Sequence, residues 1–381
     1  MYETDPRIVL TLDAGGTNLI FSAIAGNREI VEPVHFHSVP DDLDRMLSTL
    51  VEGFEAVRRQ LDAAPVAISF AFPGPADYAH GIIGDLPNFP SFRGGVALGP
   101  FLERKFGIPV FINNDGNLFA YGEAISGALP EVNALLERSG STKRYRNLLG
   151  VTLGTGFGAG AVIDGRLLTG DNGCGGDVWV FRNKHHAGMI CEESVSIRAV
   201  RRVYGEITGS DAAHLTPRDI FDIAEGTRPG DREAARESFR RFGEVAGDVI
   251  SQALTIIDGI VVLGGGLTGA AKYFMPSLLA EMRGEIGTFA GDRFPRLQMQ
   301  TYDLDSPETI TPGGPTLPTE PTRTNQPKNH EKNPDPASRI AGGEPRARSR
   351  PATGLRPAGR KGPRDLQDPP RHWIHRPQFE G

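Results

Sequence analysis

Cysteine is almost absent: Cys174 and Cys191 are the only two in 381 residues. That excludes a disulfide framework and points to a reducing compartment, the cytosol. No run of 18 or more apolar residues occurs, so no membrane-spanning helix and no membrane partner are expected. The first apolar strand begins at Ile8, which leaves no expected room for a signal peptide or a separate DNA-binding domain. A net charge of −6 argues against nucleic acid as the main partner. What remains is a chain long enough for two α/β domains with full cores.

The composition divides near residue 303. Half of the 30 prolines lie from Asp303 onward, and this end is mildly basic in an otherwise acidic protein. From about Ser306 no apolar periodicity is left, so 306–381 is expected to be a disordered, dispensable tail. Its abrupt onset also resembles out-of-frame translation of a GC-rich gene.

Before that point strands and helices alternate. Residues 8–12 and 20–24 read as a β-hairpin. The spacing of Leu43, Met46, Leu47, Leu50, Phe54 and Val57 predicts an amphipathic helix over 41–61. Strands are expected at 65–72, 110–112, 148–153 and 259–263, with helices at 96–106, 118–126, 194–204, 217–225 and 232–257. This order indicates an α/β architecture in two lobes, 1–117 and 118–305.

Three glycine loops follow strands. Asp13-Ala14-Gly15-Gly16-Thr17-Asn18 comes first; it is neither a Walker loop nor a dinucleotide fingerprint. Its glycines let the backbone approach a polyanion, and Asp13 could hold Mg²⁺ through water. Gly154-Thr155-Gly156 and Gly264-Gly265-Gly266 are the second and third. Each alone is ordinary turn chemistry; in this order they favour nucleotide phosphates and a nucleotide edge. Between them, Asn114-Asp115-Gly116-Asn117 ends a buried strand. From local sequence Asp115 reads equally as a carboxylate in a ligand crevice or as a helix cap.

Taken together, these segments with Pro73-Gly74-Pro75 and Leu86-Pro87-Asn88 resemble the ROK family of sugar kinases over about Arg7–Tyr302. The resemblance implies a ribonuclease-H-like, actin-like ATPase fold with an interdomain cleft, Mg²⁺ and ATP as cofactors, and a homodimer. It implies phosphorylation of a hexose hydroxyl, usually that on C6, with Asp115 as general base. Asn88 and Asn114 would bond sugar hydroxyls, Asp177 would take the place of a family glutamate, and Glu192 that of another. Asp13–Asn18 and Gly154–Gly156 would cradle phosphates, and Gly264–Gly266 the adenosine. Glucose or fructose is the expected sugar.

The chain also departs from the family pattern. Many members carry a Gly-Glu-x-Gly-His segment and a zinc site with three cysteines. Here Val180 stands where the histidine would be, and only Cys191 lies near the missing cluster. A zinc site from Cys174, His185, His186 and Cys191 matches no standard spacing, so no zinc is expected; the Arg182-Asn183 segment is expected to brace this region instead. Past Asp305 nothing resembles the family's closing helix. A non-catalytic or impaired sugar binder, or a sugar-sensing regulator, is therefore the alternative reading.

Overall fold

Both main sheets are built on one unit: an antiparallel hairpin with a parallel strand laid against its first arm. In the computed structural model of the chain, the described residues are 2–14, 18–74, 76–84 and 89–305. The tail expected at 306–381 lies outside them.

The first sheet contains β1 (Val9–Ala14), β2 (Asn18–Ala25), β3 (Arg28–Glu29) and β4 (Val34–His37). After α1 (Leu43–Arg58) come β5 (Ala67–Ala71), the small hairpin β6 (Ala76–Asp77) and β7 (Ile82–Ile83), α2 (Leu98–Phe106) and β8 (Val110–Asn113). Strand order is β3-β2-β1-β5-β8, with β4 also on β2; β1, β5 and β8 run parallel. Register pairs Asp13 with Ala71 and Ala71 with Asn113, so three strand ends stop at one level. Parallel strands ending together form the crevice where α/β sheets bind ligands.

The second half begins with α3 (Asp115–Ile125) and α4 (Ala128–Arg138), then β9 (Leu148–Leu153), β10 (Phe157–Ile163) and β11 (Arg166–Leu167). Helices α5 (Ile197–Thr208), α6 (Pro217–Glu225) and α7 (Arg232–Ile257) lead to β12 (Ile260–Gly264), α8 (Ala271–Met282), and a hairpin of β13 (Glu285–Gly287) and β14 (Arg293–Pro295). Strand order in the second sheet is β11-β10-β9-β12, with β12 parallel to β9.

Local sequence explains the helix starts. Asp42 caps α1 by accepting the Arg45 N–H, Asp231 caps α7, and Thr216 with Asp219 forms a capping box over Pro217 in α6. Of the hydrophobic clusters the two largest serve one half each: Phe21, Met46, Leu50, Phe54 and Phe92 fill the first half, and Phe157, Phe239, Phe242 and Phe274 the second.

Two expectations are corrected. The helix expected from Leu118 starts at Asp115, because Asn114 accepts the Asn117 N–H and caps it three residues earlier. The helix expected at 194–204 runs over 197–208, since 191–193 is a separate single turn. Helix α4 was not anticipated.

Helix α3 follows the first sheet in sequence but packs on the second, and three glycines permit it. A Cβ on Gly116 would lie 2.8 Å from the backbone of Ala159. One on Gly150 would lie 2.6 Å from Ala120 Cα, and one on Gly160 would lie 2.7 Å from Asn117 Cα. Real Cβ atoms do not approach so closely, so helix and sheet meet at backbone contact there.

Candidate active site

Asp115 sits where the two sheets meet. It is the first residue of α3, and its Oδ1 accepts the N–H of Gly116 at 2.9 Å. A Cβ built on Gly158 of β10 would stand 3.8 Å from the same oxygen. Asn114 caps α3, and the Asp115 carboxylate is exposed at the strand ends. Asn114 Oδ1 accepts the Asn117 N–H at 2.6 Å, which leaves its Nδ2 and one lone pair of Oδ1 for a ligand.

Asp13 is the penultimate residue of β1, one strand beyond β5 from the β8 end that leads to Asp115. Water reaches its side chain, yet the surrounding protein desolvates it; that and the charge of Asp115 raise its carboxyl above the ordinary range. A carboxylate raised by burial and by a neighbouring charge is unfavourable as an anion unless a cation joins it. This pair of hard oxygen donors fits Mg²⁺ held mainly by water and phosphate. Gly15, Gly16, Thr17 and Asn88 lie outside the described residues. Asn18 opens β2, exposed, opposite His37.

The second glycine loop is the turn between β9 and β10, the counterpart of the first. Gly154 donates its N–H to Gly156 O at 3.1 Å, and Thr155 is exposed. The segment carrying Glu192 holds this turn from outside. Ile197 N–H donates to Gly154 O at 2.9 Å, and Glu192 Oε2 accepts the Phe157 N–H at 3.0 Å. Glu192 Oε1 takes a 2.7 Å bond from Arg198, which also bonds Glu193. The third loop lies beside the second because Gly264 pairs with Thr152. Gly265 has φ of +93°, a conformation open to glycine, and Gly266 is exposed.

Asp177 precedes a single turn at Val178–Val180 and is half-buried. Burial raises its carboxyl, partly offset by a hydrogen bond from the Trp179 side chain. Burial raises the ionisation of Tyr78, and the charges of Asp115 and Asp177 add to it, so each carboxylate lies within electrostatic reach of the phenol. Among the described residues, Asp13 lies within electrostatic reach of Asp115, Asp115 and Asp177 each within reach of Tyr78, and Glu192 against the second glycine turn. Tyr78 was missed, and a half-buried aromatic in a short hairpin carries no sequence signal for it.

A profile of the ROK family matches residues 9–296. The chain belongs to the ROK family. Its two-sheet architecture is that of the actin-like ATPase sugar kinases. It is 28% identical over 315 residues to a glucokinase of Thermotoga maritima, covering 72% of this chain and 90% of that one. It is 27% identical over 316 residues to an N-acetyl-D-glucosamine kinase of Vibrio vulnificus, covering 74% and 97%. A crystal structure of a glucokinase from Parabacteroides distasonis superposes with a TM-score of 0.70 at 67% identity, covering 74% of this chain and 79% of that one.

In this ROK protein the four residues weighed as zinc ligands do separate things. Cys174 is exposed, whereas Cys191 is buried and donates its thiol to Val178 O at 3.1 Å and Trp179 O at 3.2 Å. Burial pushes the Cys191 thiol up to about 12, which disfavours the thiolate a metal needs. His185 and His186 are exposed. Among the described residues no group of three or more His, Cys, Asp or Glu could hold a metal ion.

The brace is Asn183, supported by Lys184. Asn183 is 1% exposed; its Nδ2 donates to Ser194 Oγ at 2.8 Å and Ile190 O at 3.2 Å. Its Oδ1 accepts the N–H groups of His185 at 3.0 Å and His186 at 3.2 Å. Lys184 ties the segment to Glu244 of α7 at 3.1 Å and to Glu281 of α8 at 2.6 Å. Among the described residues no helix is long and apolar enough to cross a membrane.

Proposed function

We propose that this ROK protein transfers the γ-phosphoryl group of ATP to the C6 hydroxyl of a hexose, with Asp115 as general base and glucose as the first substrate to test. The observation carrying this reading is the position of Asp115: exposed, at the strand ends, beside β10 and within electrostatic reach of Asp13. Relatives named glucokinase and N-acetyl-D-glucosamine kinase support a carbohydrate kinase, and the 67% identical glucokinase puts glucose ahead of fructose.

Phosphoryl transfer needs little covalent work from the protein; it needs in-line positioning, charge neutralisation and an oriented nucleophile. The N–H groups of the 13–18 and 154–156 turns are assigned to phosphate oxygens, and 264–266 to the adenosine. Mg²⁺, near Asp13, would neutralise phosphate charge. Asp115 holds the sugar hydroxyl and takes its proton, a role that typically contributes about 10²–10⁴-fold. Asn88, Asn114 Nδ2, Asp177 and Glu192 are assigned to the ring hydroxyls. A polyol suits such a site, because carboxylates accept hydrogen bonds and hydroxyls donate them.

We place the enzyme in the cytosol, as a homodimer, with lobes 1–117 and 118–305. Coupled measurement of ATP consumption across glucose, fructose, mannose and N-acetylglucosamine, on the full chain, tests the reading. Hexose-dependent turnover supports it. Sugar binding without turnover would favour the non-catalytic alternative.

A further inference from the structure

Tyr78 belongs to no glycine loop and to none of the roles above, yet its hydroxyl is tied to the same strand ends. It lies in the turn between β6 and β7 and donates to Phe72 O at 2.9 Å. The hydroxyl closes over Gly74, where a Cβ would come within 2.9 Å of it. Phe72 in turn donates its N–H to Asn113 O at 2.9 Å, extending the β5–β8 pairing by one rung.

Asn113 then reaches into α3. Its Oδ1 accepts the Asn114 N–H at 2.9 Å and Asn117 Nδ2 at 3.0 Å. Asn114 caps the helix through the Asn117 N–H. An unbroken series of hydrogen bonds therefore runs from a phenol in one hairpin, through two strand ends, to the helical turn bearing Asp115. Each link is a single bond worth about 0.5–1.5 kcal/mol, enough to hold a geometry but easily lost.

We propose that Tyr78 is a positioning residue for Asp115: its hydroxyl pins Phe72 against Asn113 and so fixes the first turn of α3. The inference rests on Asp115 being the base. Burial and the charges of Asp115 and Asp177 keep the phenol protonated, so the donor to Phe72 O is present throughout the working pH range. The aromatic ring itself packs against the first core. Deleting only the oxygen leaves that packing in place.

The test is Tyr78→Phe in the full chain, beside Asp77→Asn. The latter removes the charge from the 2.7 Å Asp77–His80 pair in the same hairpin without touching the phenol. Two readouts are taken. Amide hydrogen exchange at 114–118 reads the series of bonds whether or not the chain phosphorylates anything. Steady-state kinetics with glucose and ATP read its consequence.

Tyr78→Phe should exchange at least about fivefold faster at 114–118 and lose about tenfold in kcat, with both KM values within about twofold. Asp77→Asn should match wild type in both. Exchange at 114–118 within twofold of wild type would overturn the proposal, even in a chain without turnover. So would an unchanged kcat, or an equal loss in Asp77→Asn, which would make the effect one of hairpin folding. If Asp115→Asn retains wild-type kcat, the base reading fails by itself, while the exchange result still stands.

Discussion

Replacing Asn183 with Ala removes four hydrogen bonds from one buried side chain. The bond to Ser194 Oγ dominates, because Ser194 is only 8% exposed and its hydroxyl would be left unpaired. Leaving a buried polar group unsatisfied costs about 1–3 kcal/mol. The bonds to His185 N–H, His186 N–H and Ile190 O belong to a more open segment, where water replaces part of what is lost. Together they add about 1 kcal/mol, giving a total near 2–4 kcal/mol. At about 2–4 °C per kcal/mol for a domain of this size, the melting temperature should fall by roughly 5–15 °C. Circular dichroism melts of wild type and variant measure this. A zinc chelator added to wild type should leave its melt unchanged, because the brace is a side-chain amide. The KM for sugar should rise in the variant, since Asn183 bonds the turn that carries Glu192. A fall of less than about 2 °C, or stoichiometric zinc in the purified protein, would refute the reasoning.

Gly160→Ala should cost about 1–3 kcal/mol and lower kcat, because its Cβ pushes on Asn117 in the first turn of α3; denaturant titration with kinetics checks both. Asp13→Asn should abolish Mg²⁺-dependent turnover yet raise the melting temperature at pH 7. The sign follows from the raised carboxyl: its ionised form is disfavoured in the folded state, so it costs stability above its folded pKa and is relieved by protonation. That stabilisation should shrink as pH falls through the folded pKa of Asp13, which parallel melts across pH would show.

Much of the architecture was legible because local signals agreed. Helices α6 and α7 begin and end as read, since Thr216, Pro217 and Asp231 mark their starts and apolar periodicity carries them. Helix α4 escaped because Pro130 looks like a break; in the first turn its missing N–H costs no hydrogen bond. The start of α3 was misplaced because Asn114 and Asp115 both suit a cap, and the choice depends on which side chain meets the Asn117 N–H. Asp115 and the second glycine turn were visible as residues, but the packing of α3 against that hairpin was not. It requires α3 to contact β9 and β10, which Gly116, Gly150 and Gly160 allow at distances no local pattern records. The Arg182-Asn183 segment reads as a brace in the sequence, and Asn183 carries it through bonds within its own segment; the reach of Tyr78 toward Asp115 has no local signal.

The central claim is that Asp115 takes the proton of the sugar hydroxyl. Asp115→Asn is nearly isosteric and keeps an oxygen for the Gly116 N–H, but it cannot accept that proton. Steady-state kinetics with glucose and ATP, paired with calorimetric glucose binding, test the claim directly. The account predicts kcat lowered by about 10²-fold or more, with glucose affinity within about threefold of wild type. A variant that keeps more than about a tenth of wild-type kcat would contradict it.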